Sequence, residues 1–151
     1  MNELAQRYRD ATVAFLEIVH SLSERDLDKS YKQAWTPRQV IHHMADSEAQ
    51  SYARLRRLIA EPGTVIQGYD ESIWAESEIL GYKTESIESA VAVITAVRNS
   101  SFQLLARLPA SLLDNAGIHS ESGTYTVRTW IETYTQHPIE HASQIKTQIS
   151  L

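Results

Sequence analysis

The chain has 151 residues, 42% of them hydrophobic and 22% charged, a formal net charge of −5 and no cysteine. That length suits one domain with a real core, here taken as residues 1–151, and the missing cysteines exclude disulfides, thiolate metal ligands and a cysteine nucleophile. With no basic cluster beyond Arg54, Arg56 and Arg57, no apolar run long enough to span a bilayer and no signal-peptide pattern in MNELAQRYRD, no nucleic-acid or membrane partner is expected, and a cytoplasmic location is.

Leu4, Tyr8, Ala11, Phe15, Ile18 and Leu22 recur every three or four residues, which predicts a helix over about 2–22. His20 near its end reads as a solvated residue, and SERDLD as one further helical turn opened by Ser23. The strongest local signal follows in AWTPRQVIHHMADSE. Thr36 suits an N-cap, Pro37 the first helical position and Gln39 the third position of a capping box. This helix should run about 37–60 and stop before Pro62-Gly63. Val40, Ile41, Met44, Leu55, Leu58 and Ile59 cluster on one side of its wheel. His43 falls at the edge of that stripe beside Ser47, Gln50 and Arg54, whereas His42 should face solvent. Glu48 lies inside the stripe. It reads as a carboxylate paired with an arginine, or alternatively as a catalytic acid.

Residues 61–69 read as a loop. YDESIWAESEILGY predicts a short helix capped by Asp70 or Ser72 and stopped at Gly81, with Ile73, Trp74 and Ile79 buried. A long helix with Ser86 as possible cap is expected from Thr84 to Leu108, and a two-stranded ribbon is possible around Gly117 and Ser122-Gly123, with His119 exposed. The last helix, about 127–149, carries Val127, Trp130, Ile131, Tyr134, Ala142, Ile145 and Ile149 on its apolar face. His137 and His141 sit at the boundary of that face with Gln144 and Gln148, and Pro138 between them should kink or break the helix. Four long helices, each with one apolar stripe, predict an all-α four-helix bundle with short extra helices in the long connections.

Two histidines four apart on a helix can close on one ion from the same side. A third imidazole, preferably His43, would complete a three-ligand site with a position left open. Asp46, one turn from His43, could orient an imidazole, and Tyr69, Asp70 and Trp74 could line an entrance. Val93, Ala96 and Ser100 lie off the main stripe of the 84–108 helix, and Thr12 and Val19 near the edge of the first. These weakly polar second faces lead to an expected homodimer.

AWTPRQVIHHMADSE, YDESIWAE and HPIEHASQI, in that order, resemble the three signatures of the DinB/YfiT-like superfamily, over about residues 31–145. The resemblance implies a four-helix bundle that binds a divalent metal, zinc or nickel, through His43, His137 and His141. WTPRQVIHH and YDESIWAE look most like the YfiT branch, which implies a bacillithiol-transferase-like chemistry with a small-molecule thiol and an electrophile as substrates. Metal-dependent hydrolysis, or a metal site without turnover, are the alternatives within the superfamily. Glu48 is a departure, since YfiT-like proteins often carry histidine there.

Overall fold

The computed structural model describes residues 3–150. Six helices, α1 (Glu3–Ser21), α2 (Glu24–Leu27), α3 (Pro37–Ala60), α4 (Glu71–Glu76), α5 (Glu88–Ala106) and α6 (Val127–Ile149), are joined by strands β1 (Val65–Ile66), β2 (Ala116–His119) and β3 (Gly123–Thr126). The four long helices form a bundle in which α1 and α3 each pack on both α5 and α6.

The expected boundaries of α3 and α6 are met, because both starts are set chemically. The Thr36 hydroxyl accepts the Gln39 amide at 3.2 Å while the Gln39 side chain accepts the Thr36 amide at 3.0 Å. Thr126 caps α6 through the Thr129 amide at 3.0 Å. Such caps are each worth about 1 kcal/mol.

Two apolar clusters fill the bundle. One gathers Ala5, Tyr8, Leu55, Leu58, Leu105, Trp130, Ile131 and Tyr134. The other gathers Phe15, Val19, Val40, Ile41, Met44, Ala90, Ile94, Ala142 and Ile145. The order in which each helix passes through them sets its direction: α1 and α6 run one way, α3 and α5 the other. The consecutive long helices α3 and α5 are therefore parallel neighbours, and residues 61–87 must carry the chain back along the bundle. Thr12 and Val19, expected at an edge, are instead buried inside the bundle.

Several local expectations are corrected. α5 begins at Glu88, four residues late, because Gly81 at φ +70° and the turn it closes occupy the preceding segment. Ser86 accepts the Glu88 amide at 3.3 Å but is not the N-cap. The loop 61–69 contains β1, parallel to β2, while β2 and β3 form the expected antiparallel ribbon. β1 has no local signature because its partner lies more than 50 residues away. The pairing needs a glycine at 117, where a Cβ would stand 2.5 Å from the Thr64 carbonyl oxygen. Ile73 in α4 (68%) and Ile79 in the short turn after it (94%) are exposed, and Ala75 is buried instead. Asp70 caps this short helix by accepting the Ser72 and Ile73 amides, which turns Trp74 and Ala75 inward. No helix among the described residues is long and apolar enough to cross a membrane.

Candidate metal centre

His43 sits on the second turn of α3, 1% exposed, with the Trp35 ring 5.2 Å from its own. His137 and His141 face it from α6. The three imidazoles come together: Nε2 of His137 lies 3.3 Å from Nε2 of His43 and 3.0 Å from Nε2 of His141. One nitrogen from each falls within 4.8 Å of the others. Ligands about 2.05 Å from a tetrahedral zinc are about 3.3 Å apart, so the spacing suits a divalent ion. The donor set suits one too, since imidazole serves several first-row metals.

Burial holds all three rings below the ordinary histidine range. His43 falls to about 4, with neighbouring His141 adding to the effect. His137 is lowered further by burial and then by His141 and His43, and His141 is lowered mainly by burial. The three are thus neutral near pH 7, the form a metal requires. The Gln144 carbonyl oxygen lies 2.8 Å from His141 Nδ1 and can accept its proton, leaving the Nε2 lone pair to face the cluster. Nδ1 of His43 and of His137 is buried without a hydrogen-bond partner.

The neighbouring carboxylates are engaged elsewhere. Glu48 is fully buried and gives one oxygen to Arg98 Nη1 at 2.5 Å and the other to the Ser51 hydroxyl at 3.0 Å. Asp46, expected to orient an imidazole, accepts the Tyr82 hydroxyl at 2.6 Å instead. The reason is the returning crossover, which lays Tyr82 against this face of α3. The same segment covers His42, whose ring stacks on Tyr82 at 5.8 Å with Nε2 3.3 Å from the Glu85 carbonyl oxygen. His42 is therefore half-buried rather than solvated, and it stays apart from the other three.

Tyr69 packs on Trp74 with ring centroids 4.5 Å apart, and burial raises its hydroxyl, with Ser47, Tyr134 and Arg54 among the groups acting on it. Tyr134 lies one turn before His137, its ring 6.1 Å from the imidazole, and its hydroxyl accepts Arg54 Nη1 at 3.2 Å. Asp70 is spent on the cap of α4. Sequence reasoning passed over Arg98 and Tyr82. Arg98 had a signal: a charge four residues after Ile94 and three before Ser101, within the α5 stripe, answering Glu48 in the α3 stripe.

A bundle with three neutral imidazoles converging from two of its helices defines a class of protein built to hold a divalent ion. The chain belongs to the DinB superfamily, whose family model matches residues 7–145. It is 34% identical over 146 residues to a protein of Oceanobacillus iheyensis named "Putative metal-dependent hydrolase", covering 96% of this chain and 83% of that one. A Bacillus mycoides protein of the same description is 29% identical over 145 residues, 95% of this chain and 76% of that one. The fold matches that of YfiT from Bacillus subtilis, described as "a probable metal-dependent hydrolase with an unusual four-helix bundle topology". The TM-score is 0.83 at 23% identity, covering 99% of this chain and 90% of that one. The parallel placement of α3 and α5 is in keeping with that description.

Proposed function

We propose that this protein is a metal-dependent thiol S-transferase, with a zinc or nickel ion held by His43, His137 and His141. The observation that carries the reading is the convergence of three neutral imidazoles into one ligand cluster, with the two acidic residues of α3 nearby already engaged by other side chains. A divalent ion there supplies Lewis-acid activation, enough to ionise a coordinated thiol outright or to make a water acidic near neutral pH. A thiol needs no further base, and Glu48 and Asp46, the two acidic residues of α3 near the triad, are committed to Arg98 and Tyr82. In the transfer, the thiol sulfur forms a bond to an electrophilic carbon while that carbon's bond to its leaving group breaks. The leaving group takes the electron pair and the thiol proton passes to solvent. Tyr134 supplies an aromatic face 6.1 Å from the His137 ring.

Hydrolysis is the second reading, supported by the descriptions of the relatives as metal-dependent hydrolases. One assay separates the two. Metal-loaded protein should accelerate conjugation of bacillithiol, mycothiol or glutathione to monochlorobimane, with release of chloride, and His141→Ala should return the rate to background. Metal-dependent ester or amide cleavage without acceleration by any of these thiols would establish the hydrolase. The exposed Val93 and Ala96 on α5 favour a two-fold dimer, and a single 17.1 kDa species in sedimentation at micromolar concentration would overturn it.

A further inference from the structure

Pro138 lies between His137 and His141 and has no N–H for the carbonyl of Tyr134, four residues earlier. A proline ring also pushes that carbonyl away from the helix axis, so a kink or break is the ordinary consequence. α6 is not broken there and runs from Val127 to Ile149. The carbonyl left without its amide finds a partner on another helix. The Tyr134 carbonyl accepts Arg98 Nη2 at 3.0 Å.

The rest of that guanidinium is equally committed. Nη1 donates to Glu48, Nε to the Thr12 hydroxyl at 2.6 Å, and Nη2 also reaches the Tyr8 carbonyl at 3.3 Å. The cation lies 3.9 Å from the centre of the Tyr8 ring. One side chain thus ties α1, α3, α5 and α6 together at a single level, and both Arg98 and Glu48 are fully buried. Only a planar fork of donors serves so many acceptors at once. A guanidinium there without Glu48 would be an uncompensated buried charge.

We propose that Arg98 replaces the amide that Pro138 lacks, and so positions the turn of α6 that carries His137 and His141. The proline hands control of this turn from the helix to a tertiary contact. Arg98 touches no reacting atom; it is a positioning residue, and Glu48 neutralises it. The role for the triad rests on the metal-site reading above.

The test is a double-mutant cycle read with cobalt(II), whose visible spectrum reports ligand geometry. The background is Glu48→Met with Arg98→Met, since apolar replacement of a buried ion pair is often tolerated by the fold. This pair of substitutions should weaken cobalt binding by about tenfold or more and alter the spectrum, the scale expected when support of a ligand is lost. Adding Pro138→Ala restores an amide opposite the Tyr134 carbonyl and should return affinity to within about threefold of the parent. Pro138→Ala alone should change little. Equal effects of Pro138→Ala in both backgrounds, or no effect of the paired substitution, would overturn the proposal. Should the parent bind no cobalt, the metal reading fails, and deuterium exchange of the His141 and Ala142 amides in the same four proteins decides the Arg98 claim. Exchange should quicken in the paired variant and slow again with Pro138→Ala; unchanged exchange would refute it. If the paired variant does not fold, Arg98→Lys keeps the charge but loses the fork, and the same rescue is expected.

Discussion

Two polar clusters lie inside this bundle, five residues apart on α3. Around Arg98 and Glu48 the charges close on one another: the guanidinium meets acceptors on α1, α3 and α6, and each oxygen of the carboxylate accepts from a side chain, Arg98 or Ser51. Around His43, His137 and His141 the opposite holds. Two Nδ1 atoms lack partners, and the three Nε2 atoms face one another, with His137 Nε2 3.3 Å from His43 Nε2 and 3.0 Å from His141 Nε2. A buried polar group without a partner costs about 1–3 kcal/mol, so the second cluster is poorly explained as a contribution to stability. A satisfied interior cluster marks structure, and an unsatisfied one with convergent lone pairs marks a place for a ligand.

The contrast is sharpest under substitution. Arg98→Met alone strands the Glu48 carboxylate in the core and should destabilise the protein by about 3–5 kcal/mol in urea unfolding. His141→Ala should do the reverse, leaving unfolding of the metal-free protein within about 1 kcal/mol of the parent while metal analysis finds no stoichiometric ion. A large loss of apo stability there would erase the distinction between the clusters. Gln144→Leu should weaken metal binding by about 10- to 100-fold, because the His141 tautomer is no longer held, with little change in unfolding.

The histidines also make the apo protein sensitive to acid. Their folded-state values lie below the ordinary 6.5, so the unfolded chain takes up protons first as pH falls. Apo stability should be level above about pH 6.5 and decline toward pH 4, by up to about 1.4 kcal/mol per pH unit for each histidine. Metal binding should weaken over the same range. A flat apo profile from pH 7 to 4 would mean that the rings are not buried as described. Thr36→Ala, which touches neither cluster, should lower stability by about 1 kcal/mol and leave metal affinity unchanged.

Much of the architecture is legible locally. The capping box of α3, the cap of α4 at Asp70 and the apolar periodicity of α1, α3 and α6 depend on residues a few positions apart, and the backbone chemistry of those spacings holds in any context. The choice of His43 over His42 is also local, because an offset of one residue rotates a side chain by about 100° about the helix axis. The motifs brought His137 and His141 together for the same reason. What required the tertiary structure was every pairing across the bundle. Asp46 could equally face an imidazole or a phenol until the crossover delivered Tyr82. Ile73 and Ile79 look like core residues until α4 proves too short and differently turned to bury them. Pro138 leaves the Tyr134 carbonyl without its helical amide, and only the bundle shows that a donor from α5 reaches it. The sequence determined which side of each helix is apolar and where each helix begins. Which helices are neighbours, and hence which polar groups find a partner, depends on contacts between residues far apart in the chain, Lys29 and Ile149 among them at a separation of 120, and no local pattern encodes them.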